Sequence, residues 1–382
     1  MAGYKDGFQY LERLRELNPQ RKQTFESIKH YLSAKATRNG IPSYGILELT
    51  PLCNFDCKMC YAHLRKDQLG GKKLLTVEQW KGLIHEAWEA GMMFATLTGG
   101  ECLSYPGFKE LYLYLRSLGV LVNVMTNGAL MDENWVEFFR ERKPAKMTIT
   151  LYGSDEETYE SVTGQRKFAD VNRIIRQLIE AGINLSVNVT PNRYMGENVL
   201  DTIRLAMSYG VSCSINSLLF EPREETGRKG QAHDLDADDY VRIFRLYNEL
   251  KGVTIPEIDP EKLPPPGGSC HECTEYGLPC KAGRAAFTIQ WDGVMYPCNS
   301  VRHFSASPLE EGFRPAWDSI RRQCATWPRI PECKDCAYES VCVHCPAIRA
   351  QFAEPGKQPL ALCERTRYLV QHGVAAIPEC EE

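Results

Sequence analysis

From Tyr44 onward, apolar and polar positions fall into two alternating rhythms. Short runs rich in β-branched residues read as strands: "YGILELT", "FATLTG", "LVNVMTN", "KMTITLY", "NLSVNVT" and "VSCSINSLL". Between them lie segments of helical period at Thr76–Ala90, Gly107–Leu118, Asp132–Arg142, Ala169–Ala181 and Asn198–Ser208. Gly91, Gly119, Gly182 and Gly210 close four of these helices, the position where a left-handed residue ends the helical ladder. Six βα alternations with almost continuously apolar strands predict a parallel sheet covered by helices, either doubly wound or an incomplete barrel. A further helix at Asp236–Lys251 leads into "IPEIDPEKLPPPGG", a Pro-rich connector. Beyond it, "AAFTIQWDGVMYPC" predicts a hairpin turning at Asp292–Gly293. The first 43 residues read as two short helices capping the core.

The expected organisation is a cap (1–43), a (β/α) core (44–230), a helix and connector (231–268) and a Cys-rich domain (269–382). Composition narrows the class. With 43% hydrophobic and 25% charged residues the chain reads as soluble and globular, and its net charge of −4 offers no basic field for nucleic acid. No apolar run approaches the length of a membrane span, and the N-terminus lacks a signal-like apolar region, so a cytoplasmic location is expected. Sixteen cysteines in a reducing compartment point to metal or thiol chemistry rather than disulfides. Eleven of them lie between Cys270 and Cys380.

The densest chemistry is "CNFDCKMC", which places Cys53, Cys57 and Cys60 in the loop after the first strand. In parallel α/β architectures chemistry collects at the C-terminal ends of strands. Three thiolates without a fourth suit an iron–sulfur cluster with one iron open to a small ligand. The second strand ends in "LTGGEC", which brings Gly99, Gly100 and Glu101 to the same rim, where the glycines are expected to let a ligand approach the backbone closely and Glu101 to add a carboxylate acceptor.

Together these motifs resemble the radical S-adenosylmethionine (SAM) superfamily over Tyr44–Phe220. The resemblance implies a partial (β/α)6 barrel of TIM type. It implies that SAM chelates the open iron, that an electron cleaves its sulfonium, and that the 5′-deoxyadenosyl radical abstracts hydrogen from a substrate. It also implies that Glu101 accepts from the methionine ammonium beside Gly99 and Gly100, with Asn127 and Thr150 as further polar contacts. Met59 stands before the third cysteine, where the superfamily often has an aromatic residue. Cys102 stands where proline is usual, as either a small buried residue or a pocket thiol.

The C-terminal cysteines resemble the SPASM extension of that superfamily, which carries two auxiliary [4Fe–4S] clusters. Mapped by order, Cys273, Cys280, Cys298 and Cys345 would hold one, with Cys270 competing for the first position. Cys333, Cys336, Cys342 and Cys363 would hold the other. The spacing between Cys342 and Cys345 is one residue shorter than the usual pattern. Zinc is the alternative for these C-x2-C pairs, with His271 and His344 nearby. Cys213 is expected in the core, while Cys324 and Cys380 are unassigned.

By resemblance, the substrate is a peptide or protein side chain, with flavodoxin or ferredoxin as electron donor; charge and the lack of a long apolar run lead to no expectation of a nucleic-acid or membrane partner. A dedicated leader-binding module is expected to be absent or supplied separately. In sulfatase-maturing members an Asp base follows the cysteine matching Cys298; here Asn299 stands there and cannot take a proton, which argues against formylglycine formation. A small-molecule substrate and a zinc-stapled, non-catalytic binding protein remain as alternatives. Candidate pocket groups are Asn188, Thr190, Asn216, Ser217, Glu221 and Arg223, and "FEPREETGRKGQ" is a candidate substrate-facing loop.

Overall fold

The computed structural model describes residues 25–216, 219–228, 235–253, 277–333, 336, 338 and 341–374. In chain order these form α1 (Phe25–Asn39), β1 (Tyr44–Glu48), α2 (Val77–Glu89), β2 (Phe94–Thr98), α3 (Phe108–Ser117), β3 (Leu121–Thr126) and α4 (Glu133–Glu141). There follow β4 (Lys146–Leu151), α5 (Glu156–Thr163), α6 (Phe168–Glu180), β5 (Leu185–Val189), α7 (Asn198–Ser208), β6 (Ser212–Ile215) and α8 (Ala237–Lys251). The C-terminal part adds β7 (Ala286–Ile289), β8 (Met295–Tyr296), α9 (Pro308–Glu311), α10 (Phe313–Ala325), α11 (Pro346–Arg349) and α12 (Leu360–Gln371).

Local chemistry sets the helix ends. The side chains of Thr76, Asp132 and Asp236 each accept from a backbone N–H in the first turn of α2, α4 and α8. Gly91, Gly119, Gly182 and Gly210 all take positive φ after α2, α3, α6 and α7. Helix α5 is an element that hydrophobic rhythm does not reveal; Asp155, which caps it through Thr158 N, is its local signal.

The strand order is β6-β5-β4-β3-β2-β1-β7-β8. Pairing is parallel throughout except between β7 and β8. From β1 to β6 each new strand adds on the same side as the last. A doubly wound sheet must reverse direction at a switch point, and this one does not, so the order selects the barrel-type alternative.

The strands are not continuously apolar. In-register positions Leu47, Leu97, Val124, Met147, Ile149 and Val187 form one buried apolar face. The residues between them, Thr96, Asn123, Thr148, Thr150, Asn188 and Ser214, turn hydroxyls and amides to the other face. Helices pack on the sheet, as α3 does on β3 and α7 on β5.

The expected hairpin is present, with Gly293 at φ +87 and its N–H donating to Gln290 O at 2.8 Å. Strand β7 pairs in parallel with β1, so the C-terminal part extends the same sheet. Phe287 of β7 packs on Phe313 and Trp317 of α10 at 5.0 and 6.2 Å between ring centres. Trp317 Nε1 donates to Gly40 O at 2.9 Å. Of the two N-terminal helices expected, α1 is described; residues 1–24 lie outside the described residues. Among the described residues no helix is long and apolar enough to cross a membrane.

Candidate active site and cysteine clusters

Backbone pairing between β1 and β2 continues past both strand ends into the cysteine loop. Leu49 N donates to Thr98 O at 2.9 Å, Gly100 N to Thr50 O at 2.6 Å, and Glu101 N to Leu52 O at 2.9 Å. Gly99 and Gly100 permit this contact. Gly99 has φ +153, and a Cβ there would stand 2.3 Å from Thr50 O. On Gly100 a Cβ would stand 2.4 Å from Leu52 O and 2.6 Å from Pro51 O. The backbone that these glycines admit is thus the cysteine loop itself. A Gly100→Ala substitution must push that loop away and is expected to destabilise the protein by about 1–3 kcal/mol. Anaerobically prepared G100A protein is expected to carry less iron per chain than the parent, and undiminished iron would contradict this.

The loop is fixed from three further sides. Asp56 N and Lys58 N donate to Thr163 O and Val162 O at the end of α5, both at 3.0 Å. Arg228 Nη1 donates to Cys57 O at 2.7 Å, and its other nitrogen pairs with Asp56. Gln68 Nε2 donates to Thr226 O at 2.7 Å. The segment 220–228 of the loop read as substrate-facing therefore straps the cysteine loop.

Cys53 Sγ accepts from Phe55 N at 3.3 Å and from Asn127 Nδ2 at 3.6 Å, and Cys60 Sγ accepts from His63 N at 3.3 Å. Burial pushes the Cys53 thiol up to about 12, and burial followed by the neighbouring Cys60 and Cys53 raises Cys57. Cys57 is buried and Cys53 and Cys60 are partly so, with amide hydrogen bonds to the sulfurs of Cys53 and Cys60, an arrangement apt for ligands because a bound cation offsets desolvation and the mutual repulsion of thiolates. The donor set fits an iron–sulfur cluster. Among the described residues no three His, Cys, Asp or Glu side chains converge as the ligands of a single ion do. A four-iron cluster takes one ligand per iron and needs no such convergence.

Glu101 is 1% exposed at the end of β2. Its Oε1 accepts from Thr126 Oγ1 at 2.7 Å and Leu103 N at 3.1 Å, and its Oε2 from Asn127 N at 2.7 Å. Burial raises its carboxyl above the usual range despite those bonds. Asn127 also donates through Nδ2 to Asn54 Oδ1 at 2.8 Å, so it ties Glu101 to the cysteine loop. Thr150 sits on the polar face of β4 opposite Asn188 of β5. Cys102 is fully buried with Sγ 3.2 Å from Met125 O, the first of its two expected fates.

Below this rim lies a feature that the motifs did not single out. Arg223 grips Glu48 of β1 through two bonds of 2.9 and 2.6 Å, both side chains being buried, and donates to Asn299 O at 3.1 Å. Its guanidinium lies 5.2 Å from the centre of the Tyr61 ring, and Tyr61 Oη meets Asn299 Nδ2. Burial, then the Glu48 carboxylate, pushes the Tyr61 phenol up to about 12. Tyr61 follows Cys60 and Asn299 follows Cys298, so this cluster joins the two cysteine regions. A carboxylate inside the apolar run "YGILELT" was the available signal, because a buried acid requires a partner. Among the other pocket candidates, Asn188 Nδ2 donates to Thr190 Oγ1 at 3.1 Å, and Asn188 accepts from Ser214 at 3.1 Å. Asn216 is exposed, and Glu221 lies within the strap; Ser217 is outside the described residues.

The C-terminal cysteines form two groups. Cys298 is raised to about 11 by burial and senses both Cys280 and Cys345, and its Sγ accepts from Val301 N at 3.2 Å. Cys324 senses Cys280 and Cys298 as well, and burial first of all holds its thiol at about 12. Cys333 is raised by burial and by Cys342, Cys363 and Cys336. Thr366 and Arg349 each lie 3.8 Å from Cys342 Sγ. Cys270, Cys273, His271 and Cys380 lie outside the described residues. Cys213 is half-buried on β6, packed against the core.

The radical SAM superfamily pattern matches residues 47–206. The chain is 29% identical over 262 residues to the sporulation killing factor maturation protein SkfB of Bacillus subtilis (strain 168), covering 68% of this chain and 60% of that protein. It is 25% identical over 321 residues to the AdoMet-dependent heme synthase of Methanosarcina barkeri (strain Fusaro / DSM 804), covering 78% of this chain and 90% of that one. Its fold matches Streptococcus suis SuiB bound to S-adenosylmethionine with a TM-score of 0.66 at 16% identity, over 94% of this chain and 86% of that one. The match to SuiB bound to precursor peptide SuiA has a TM-score of 0.62 at 17% identity, covering 94% and 87%.

Proposed function

We propose, from the premise that the chain belongs to the radical SAM superfamily, that it is an oxidoreductase modifying a peptide or protein side chain after translation. SAM and a [4Fe–4S] cluster are the superfamily's shared cofactors. When bound, they supply the electron that splits the sulfonium and the radical that takes a hydrogen atom from the substrate. The observation that carries the reading is the hydrogen-bonded lock between the cysteine loop and Gly99–Glu101. It sets three thiols and a carboxylate on one rim of the barrel.

In this reading Cys53, Cys57 and Cys60 hold the SAM-binding cluster. Glu101 receives the methionine ammonium through Oε2, the oxygen with a single acceptor bond, beside Gly99 and Gly100. Asn127 orients Glu101 and Cys53 together, and Thr150 contributes a hydroxyl to the same interior. Cys280, Cys298 and Cys345, with Cys273 or Cys270, hold one auxiliary cluster; Cys333, Cys336, Cys342 and Cys363 hold the second. Such centres suit an oxidation, because hydrogen abstraction leaves an electron that needs a sink. Asn299 uses its amide on Tyr61 and its carbonyl on Arg223, a structural use that agrees with a reaction other than formylglycine formation. The peptide substrate is supported by SkfB, named for maturing a killing factor, and by SuiB, described with a precursor peptide. Flavodoxin or ferredoxin would supply electrons.

A small-molecule substrate is the second reading, raised by the likeness to the heme synthase over 90% of that protein. Anaerobic incubation with SAM, reductant and either short peptides encoded near the gene or an iron porphyrin separates the two. The first reading expects 5′-deoxyadenosine with a mass change on a peptide. Conversion of the porphyrin alone would establish the second.

A further inference from the structure

Away from the barrel rim, an open cleft of about 700 Å³ runs between the end of α1, residues 277–284 and α10. Arg38, Arg284, Arg314, Arg321 and Arg322 line it, and all five are exposed. The single acid among its lining residues, Asp318, takes up Arg314 at 3.3 Å and Arg321 at 3.8 Å. Arg38, Arg284 and Arg322 face no carboxylate within ion-pair distance among the described residues. This concentration of positive charge stands on a chain whose net charge is −4, so it is a local design rather than a general surface property.

The cleft reaches the first C-terminal cysteine group through Cys324, which lines it. Gly283 packs so closely on Cys324 that a Cβ there would stand 2.3 Å from its Sγ. Cys280 lies on the chain between Leu278 and Gly283, two residues that line the cleft, and Cys324 neighbours it. Cys280 itself is exposed.

We propose that this cleft docks the acidic face of a small one-electron carrier protein that takes electrons from the centre held by Cys280, Cys298 and Cys345. The assignment rests on reading those cysteines as cluster ligands. The exchange would be one electron: the substrate radical would give up its electron to the centre these cysteines would hold and a proton to solvent, and an oxidised ferredoxin or flavodoxin would take that electron and be reduced. Charge complementarity selects an acidic partner, and the position of the cysteines selects a redox protein over an acidic peptide. Steered association of this kind is fast and falls steeply with salt.

The test uses full-length, anaerobically reconstituted protein and an oxidised [2Fe–2S] ferredoxin as probe. Parent protein is expected to bind the ferredoxin with an affinity that drops as salt rises. After dithionite reduction and desalting, it is expected to reduce the ferredoxin. The combined variant R38E/R284E/R322E is expected to bind more than tenfold more weakly at low salt, while its dithionite-driven SAM cleavage is unchanged. Equal binding by parent and variant, or no binding by the parent, would overturn the docking proposal. Retained ferredoxin binding with lost binding of the peptide substrate would reassign the cleft to the peptide. The ligand reading is tested separately by Cys280→Ser: an unchanged iron content there refutes the cluster at Cys280, whatever the ferredoxin result.

Discussion

Replacing Cys53, Cys57 and Cys60 together by alanine is expected to abolish SAM cleavage while the C-terminal centres stay loaded. The three thiols lie in one loop, and the backbone bonds and the Arg228 contact that anchor it do not depend on them. Its backbone is bonded to Gly100 and Glu101, to the end of α5 and to Arg228. Removing three sulfurs therefore deletes a ligand set without removing the frame around it. The C-terminal cysteines sit on other elements, near β8, α11 and α12. Iron is expected to fall from about twelve to about eight atoms per chain, one four-iron cluster of three. Iron and sulfide analysis, with chromatographic assay of 5′-deoxyadenosine, reads both parts. Persistent cleavage by the triple variant would remove the loop from the chemistry.

The second large effect is expected at Arg223. Replacing it by methionine leaves Glu48 buried beside Tyr61 without its counter-charge. Removing one member of a buried pair typically costs about 3–5 kcal/mol, because the remaining charge keeps its desolvation penalty. Burial opposes the charge on Arg223, yet Glu48 more than offsets it and raises the guanidinium further. Because the same side chain contacts Tyr61 and Asn299, the variant is also expected to loosen both cysteine regions. Arg223→Met should lower the unfolding midpoint in anaerobic denaturant titration, and the double change Glu48→Leu/Arg223→Met should recover most of that loss. A double variant no better than the single one would show that the pair is not what the strap contributes.

These two sites show what the chain discloses before folding and what it withholds. The helices were legible because their signals are local: Asn198–Ser208 agrees to the residue, and Asp132 and Asp236 mark starts that the structure places one residue later. The cysteine loop and "GGE" were legible because dense spacing has few other uses. Helix α5 was obscured because "EETYESVT" mixes charge with β-branched residues and carries no strong apolar stripe. The polar inner face was present in the strands as period-two alternation of Thr, Ser and Asn, masked by the apolar residues beside them. Glu48 and Arg223 meet across 175 residues of chain, and no local pattern announces such a pair. Nor could the purpose of Gly99 and Gly100 be read fully: the sequence suggests room for a ligand, and the fold shows the cysteine loop's own backbone against them.

The pairing of β7 with β1 bears on how the protein is made. Partner residues Tyr44 and Ala286 are separated by 242 positions, as are Ser43 and Ala285 just before them. At the usual pace of synthesis, a ribosome needs roughly 10–50 s to traverse that interval. Throughout it, one side of β1 remains an unpaired edge, the kind of surface that recruits other nascent chains. Cells expressing the protein from a strong promoter should therefore lose more of it to inclusion bodies when translation is fast, and slower translation or chaperone supply should recover it.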